Sequence, residues 1–124
     1  MDIAIESIEN VTVAEIPVKE LDAGNSGDLK AAMAGILDAN SRVVIDLRRL
    51  QFVDSSGLGA ILSFLRQVSA KGGDLKLCGM TRQVRAAFEL VRMHRIFDIF
   101  ETRAEAVRAF NVAPSNAATS AAKG

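Results

Sequence analysis

The chain has 124 residues, of which 49% are hydrophobic and 24% are charged, which fits one compact domain and leaves no room for the core of a second domain. Fifteen basic residues balance fifteen acidic ones, and this neutrality predicts no direct binding to nucleic acid. One cysteine and one histidine cannot build a disulfide framework or a structural metal site. The sequence shows no signal-peptide pattern and no apolar run long enough for membrane insertion, which predicts a soluble, cytoplasmic protein.

The first half of the chain predicts a hairpin, a helix and a buried strand. Residues 3–16 hold two runs of β-branched residues separated by Glu9 and Asn10, which is typical of a hairpin with a polar turn. Apolar residues at helical spacing predict a first helix over 26–39. The nearly continuous apolar run 43–47 is typical of a parallel strand that is covered on both faces.

The second half alternates helices with short strands. The predicted elements, in chain order, are a helix over 56–71, a strand over 75–78, a helix that Thr81 opens, an edge strand over 97–100 and a helix over 105–110. The residues predicted to face the core are Leu58, Ile61, Leu62, Leu65 and Val68 in the second helix and Val84, Ala87, Phe88 and Val91 in the third.

This order of elements predicts an α/β fold in a single domain over residues 1–111. Alternating strands and helices favour a mostly parallel mixed β-sheet, here with an N-terminal hairpin and about four α-helices. Residues 112–124 are small and polar and offer almost no large apolar side chain to a core. We therefore predict a disordered C-terminal tail over 112–124.

The sequence gives no support for an enzyme. A serine triad would need His94, and the serines lack the strained G-x-S-x-G turn. Neither common nucleotide-binding motif occurs, so no cofactor is expected. His94 is interpreted as a polar residue near a helix end and Cys78 as a buried apolar one. Arg82, Arg85 and Arg92 form either a solvated face of the third helix or a docking face for an acidic partner.

The segment 51–60, QFVDSSGLGA, lies where the second helix is predicted to begin. A first helical turn has unpaired N–H groups and partial positive charge, so a serine there suits phosphorylation, and Ser55 and Ser56 are equal candidates on this ground. The alternative is purely structural: Asp54 or Ser55 caps the helix, and Gly57 provides the backbone freedom for a tight turn. Gly57 could also allow a partner to approach the backbone closely. A flat docking strip of small or polar residues is predicted from Ser56, Gly59, Ala60, Ser63 and Gln67.

The longer pattern VVIDLRRLQFVDSSGLGAIL, followed by GGDLKLCGMTRQVRAAFELVRMHRIFDIF, resembles the STAS family, the domain of sulphate transporters and anti-sigma factor antagonists. The resemblance is to the stand-alone bacterial antagonists, covers about residues 2–110 and is most specific at D-S-S-G-L-G over 54–59. It implies a non-enzymatic switch that binds an anti-sigma factor with serine kinase activity. Phosphorylation would release that partner, and a serine phosphatase would reverse the mark.

The resemblance also implies roles for individual residues. It selects Ser56 as the phosphorylation site, and it nominates Asp22, in an acidic Glu-Leu-Asp stretch, as a partner contact. The sequence departs from the family pattern at Lys19 and Arg92, where glycine is usual. The predicted partner-binding residues are Asp22, Asp54, Ser55, Gly57, Gly59, Ala60 and Ser63. The alternative function is a regulatory subunit of a membrane transporter, such as a lipid ABC exporter, without phosphate cycling.

Overall fold

The computed structural model of the protein describes residues 1–112. The elements in chain order are β1 (Ala4–Ile8), β2 (Val11–Glu15), β3 (Glu20–Leu21), α1 (Ser26–Ala39), β4 (Arg42–Asp46), β5 (Phe52–Val53), α2 (Ser55–Ser69), β6 (Asp74–Cys78), α3 (Arg82–Leu90), a 3-10 turn (Met93–Arg95), β7 (Asp98–Phe100) and α4 (Arg103–Asn111). The predicted disordered tail lies outside the described residues, apart from its first residue, Val112.

Five of the strands form one mixed sheet in the order β1-β2-β4-β6-β7. β1 and β2 pair antiparallel, and every other neighbouring pair in this sheet is parallel. The hairpin turns at Glu9 and Asn10, whose φ angles of 49° and 68° give the left-handed backbone that a tight hairpin turn needs. The predicted α/β fold, with its N-terminal hairpin, four helices and mostly parallel sheet, is confirmed.

Helices cover both faces of the sheet. The first three helices enclose the larger apolar core on one face, and α4 closes a smaller core on the other. The central strand β4 serves both cores, because Val43 and Ile45 point into the larger one and Val44 into the smaller one. This arrangement explains why the three central residues of β4, 43–45, are apolar in succession instead of alternating with polar ones.

A second, two-stranded sheet was not predicted. Its strands, β3 and β5, pair in parallel through Glu20 with Phe52 and Leu21 with Val53. Two-residue strands are too short to show the alternation of apolar and polar residues that predicts a strand, so they cannot be identified from the sequence. The small sheet matters for function because it holds the loop after β3 beside the start of α2.

The predicted core is wrong at one position and misses another. Leu62, Leu65 and Ala87 are half-buried and pack against the larger core, as predicted. Phe64, which was not among the predicted core residues, is 2% exposed and belongs to that core. Val91 is 51% exposed because α3 ends one residue earlier, at Leu90. Arg92 therefore lies outside α3, and the predicted face of three helical arginines is wrong at that residue.

A buried carboxylate ties α4 to the sheet. Asp46, at the end of β4, is 3% exposed. Its Oδ2 accepts hydrogen bonds from Arg103 Nε at 3.1 Å and from Arg103 Nη2 at 2.8 Å, and its Oδ1 accepts from the Arg48 N–H at 3.0 Å. Because both oxygens are bonded, the buried charge is compensated and α4 is fixed against the sheet.

The single cysteine should be unreactive in the folded protein. Cys78 is buried, and desolvation together with the Asp46 carboxylate raises the pKa of its thiol from 9.0 to about 12. Because only the thiolate attacks disulfide reagents, we expect labelling at pH 8 to be at least about a thousandfold slower than in urea-unfolded protein. A colorimetric thiol assay on native and unfolded samples measures this ratio. Rapid stoichiometric labelling of the native protein would contradict the structure.

Candidate functional site

Asp54 caps the first turn of α2. Its backbone is extended, with φ −99° and ψ −174°, and its Oδ1 accepts a hydrogen bond from the Gly57 N–H at 3.0 Å. The Asp54 carbonyl oxygen accepts the next bond, from the Leu58 N–H at 2.9 Å. The capping interpretation is therefore confirmed for Asp54, which precedes Ser55, the first residue of the helix.

The same carboxylate joins a second loop to the start of α2. Asp54 Oδ2 accepts a hydrogen bond from the Ala23 N–H at 3.2 Å, and the Asp54 N–H donates to the Leu21 carbonyl oxygen at 3.1 Å. The loop between β3 and α1 is thus bonded directly to the helix cap. Both carboxylate oxygens accept a hydrogen bond from within the chain, so Asp54 positions the loop and the helix start. Partner contact by Asp54 stays a prediction.

Asp22 lies in that loop and organises it. Its Oδ1 accepts a hydrogen bond from the Gly24 N–H at 2.9 Å, and its own N–H donates to Asn25 Oδ1 at 3.0 Å. Its carbonyl oxygen accepts from the Ser26 N–H at 2.9 Å, where α1 begins. Because Ala23 is bonded to Asp54, the half-buried Asp22 is held next to the first turn of α2.

Ser55 and Ser56 are the exposed residues of this first turn. Gly57 and Leu58 have their N–H groups bonded to Asp54, whereas neither the N–H nor the hydroxyl of either serine has a hydrogen-bond partner within residues 1–112. The positive end of α2 is therefore open to solvent at the two serines. A phosphate on either hydroxyl could sit beside unpaired N–H groups, which favours a folded phosphorylated form.

The predicted docking strip on α2 is narrower than its sequence suggests. Ala60 is 2% exposed, so its side chain packs in the core and its predicted place in the strip is wrong. Gly59 and Gln67 are exposed and Ser63 is half-buried, its hydroxyl donating to the Ala60 carbonyl oxygen at 2.6 Å. Partner contact by Ser55, Gly59 and Ser63 stays a prediction, as does the place of Ser56 in the strip.

Gly57 is needed for close packing inside the protein. The sequence alone was also consistent with a glycine that lets a partner approach. Gly57 is buried, and a Cβ atom there would lie 2.6 Å from Val53 Cγ2 and 2.7 Å from the Leu21 carbonyl oxygen. That carbonyl also accepts the Asp54 N–H bond, so it cannot move away without breaking the small sheet's contact with α2. The predicted exposure of Gly57 to a partner is therefore wrong.

The two glycines of α2 should respond oppositely to alanine. Gly57→Ala must displace the Leu21 backbone, so we expect the free energy of unfolding to fall by about 1–3 kcal/mol. Gly59→Ala meets no atom within 4 Å and should raise it by about 0.5–1 kcal/mol through helix propensity. Urea denaturation of both variants checks the pair. A stabilised Gly57→Ala would contradict the close packing of α2 on β3.

Three other kinds of site do not form within residues 1–112: a metal cluster, a membrane-spanning helix and a serine triad. Within residues 1–112, no three histidine, cysteine, aspartate or glutamate side chains gather where they could hold a metal ion. Over the same range, no helix is both long and apolar enough to cross a membrane. His94 Nδ1 is buried and has no hydrogen-bond partner there, so no serine or carboxylate is paired with it as a triad would require.

Fold and site together define a small α/β domain whose distinctive feature is an open helix start with two exposed serines. A family model described as the STAS domain matches residues 2–106, and the chain belongs to that family. A candidate anti-sigma factor antagonist of Bordetella bronchiseptica, named BtrV, is 31% identical over 114 residues, which is 91% of this chain and 97% of BtrV. The family resemblance drawn from the D-S-S-G-L-G segment is thereby confirmed.

Solved structures share the fold. The crystal structure of a candidate anti-sigma factor antagonist from Thermotoga maritima has a TM-score of 0.81 at 24% identity and covers 89% of this chain and 95% of its own. The unphosphorylated form of SpoIIAA, an anti-sigma factor antagonist of Bacillus, has a TM-score of 0.73 at 23% identity. The match covers 90% of this chain and 99% of the SpoIIAA chain. At these identities the likeness establishes the fold.

Proposed function

We propose that this chain is a cytoplasmic, non-catalytic anti-sigma factor antagonist that is switched by phosphorylation of Ser56. In its unmodified form it binds an anti-sigma factor that is also a serine kinase, and a serine phosphatase later removes the phosphate. The observation that carries the proposal is the solvent-open first turn of α2, where Ser55 and Ser56 are exposed and unbonded within residues 1–112. The names of the relatives, anti-sigma factor antagonists, support the kind of partner.

The local geometry supports a switch that leaves the fold intact. Asp54, not a serine, caps α2, so modification of Ser56 removes no hydrogen bond from within residues 1–112. The unpaired N–H groups and the helix dipole accept the added negative charge in the free protein. A partner that covers the same turn would have to desolvate that charge, so the complex is weakened while the protein stays folded.

The site also supports a shared binding surface for Asp22, Ser56 and Gly59. Asp54 bonds the Asp22 loop to the first turn of α2, so one partner surface can contact both. Gly59 presents only backbone on the exposed side and has open space around it. We propose Gly59 and Ser63 as contacts along the helix, with Asp54 acting through its hydrogen bonds as a positioning residue.

Phosphorylation by the cognate kinase tests the proposal and separates the two serines. We expect incubation with kinase and ATP to add one phosphate, which peptide mass spectrometry places on Ser56. Ser56→Ala should abolish incorporation, whereas Ser55→Ala, its neighbour in the same turn, should retain it. Phosphate on Ser55 would overturn the assignment of the acceptor. Stable co-purification with transporter subunits and no phosphorylation by any kinase would favour the transporter alternative.

A further inference from the structure

A second exposed surface lies where α3 ends. Leu90, Val91 and Ile96 are 85%, 51% and 54% exposed, and they belong to one short segment of chain. Arg92 and Arg95 are exposed between them and make no ion pair within residues 1–112. We call these five residues the basic-apolar patch. Three exposed apolar residues and two arginines without an ion pair within residues 1–112 thus fall within seven consecutive positions, which is denser than the scattered exposure of single residues on an ordinary surface.

The backbone holds the patch in place at a cost to stability. Arg92 has φ 62° and ψ 22°, a left-handed conformation that glycine adopts freely and that costs an arginine about 1 kcal/mol. The following 3-10 turn is anchored by the buried side chains of Met93 and Phe97. The chain therefore folds back sharply after α3 and keeps Leu90 and Val91 facing solvent. Retained strain of this kind is typical of functional positions.

The topology separates the patch from Ser56. α3 connects the parallel neighbours β6 and β7, so it ends at the sheet edge where those strands begin. α2 follows β4 and precedes its parallel neighbour β6, so its first turn lies toward the edge where the strands end. The basic-apolar patch and the first turn of α2 therefore lie toward opposite edges of the sheet.

We propose that the basic-apolar patch is a second docking surface for an acidic, amphipathic segment of a protein partner. Carboxylates of such a segment would pair with Arg92 and Arg95, and its apolar side chains would cover Leu90, Val91 and Ile96. Because the patch and Ser56 lie toward opposite edges of the sheet, binding at the patch can be measured without phosphorylation of Ser56.

A protein segment fits this patch better than a nucleic acid or a membrane. A phosphate backbone would pair with the two arginines and leave the three apolar side chains in contact with water. Insertion into lipid would require α3 to turn its apolar face outward, but Val84 and Phe88 are buried against the sheet. Only three side chains could then enter the bilayer surface, which is a small area for stable anchoring.

Titration with defined probes tests the docking surface. The probe is a synthetic peptide of about 18 residues, roughly five helical turns, with leucines three and four residues apart and glutamates elsewhere. We expect saturable amide-shift changes confined to residues 90–96 in heteronuclear NMR. A peptide of the same composition with shuffled leucine spacing should bind at least about threefold more weakly. Absence of shifts at the patch would overturn the proposal.

Variants make the test specific. Arg92→Gly should weaken peptide binding about threefold while raising the melting temperature, because it removes a cation and relieves the left-handed arginine. Leu90→Ser should weaken binding about tenfold with little effect on folding. Arg108→Ala, on α4 and exposed, is the matched control and should change neither. Unchanged peptide affinity in Arg92→Gly and Leu90→Ser would overturn the proposal.

Two further probes separate the other occupants of such a surface. Vesicles of phosphatidylglycerol and the protein itself at raised concentration should leave the amide signals of residues 90–96 unchanged. Vesicle binding that exceeds peptide binding would show that the patch binds lipid. Concentration-dependent shifts at the patch would show self-association. Either result would overturn the proposal. None of these readouts depends on Ser56, so they distinguish failure of this surface from failure of the switch.

Discussion

Phosphorylation of Ser56 should weaken binding of the anti-sigma kinase by about a hundredfold, while the melting temperature of the free protein changes little. The phosphate adds about −1.5 to −2 charges to an exposed first turn whose N–H groups tolerate them. At an interface, the same charge must be desolvated beside the carboxylate of Asp54 and the loop that carries Asp22. A loss of about 3 kcal/mol corresponds to that fall in affinity.

Substitutions at Ser56 should reproduce the two states. Ser56→Ala should bind the kinase like the unmodified protein, and Ser56→Asp should bind it more weakly, with both variants folded. Ser69→Asp, which adds the same charge to an exposed residue at the far end of α2, is the matched control and should keep full affinity. Calorimetric titration measures each value. Equal loss of affinity in Ser56→Asp and Ser69→Asp would show an unspecific charge effect and contradict the proposed site.

Phe64→Ala should lower the free energy of unfolding by about 3–5 kcal/mol. Phe64 is 2% exposed and lies in the larger core, so truncation loses its buried area and leaves a cavity. Leu65→Ala removes a half-buried neighbour and should cost about 1–2 kcal/mol. If Phe64→Ala does not fold, Phe64→Leu should still show a loss of about 1–1.5 kcal/mol. A greater loss in Leu65→Ala would contradict the orientation of α2.

Most of the fold could be predicted because its elements carry local signals. The hairpin turn at Glu9 and Asn10, the apolar strand β4 and the threonine cap of α3 each combine composition with position, and the structure confirms all three. Helical periodicity predicted that α2 exists. It did not predict the rotation of α2 about its own axis closely enough to tell which of two adjacent residues is buried. Phe64 and Leu65 differ by about 100° around the helix, and only the position of α1 and the sheet decides which one is buried.

The candidate site was predictable in its location and not in its internal bonds. The D-S-S-G segment pointed to the first turn of α2, but the bond from the Ala23 N–H to Asp54 joins residues 31 apart in the chain. The small sheet that creates this contact consists of two-residue strands, which leave no pattern. Gly57 was ambiguous for the same reason, since the carbonyl of Leu21 that excludes a side chain comes from a distant strand.

Release of a sigma factor from its anti-sigma factor measures the central claim most directly. A preformed complex of the cognate anti-sigma kinase with a fluorescently labelled sigma factor is titrated with this protein, and the free sigma factor is followed by fluorescence anisotropy. We predict that the unmodified protein and Ser56→Ala displace the sigma factor, while Ser56-phosphorylated protein requires about a hundredfold higher concentration. Displacement at the same concentration by unmodified and phosphorylated protein, or no displacement by either, would contradict the proposed switch.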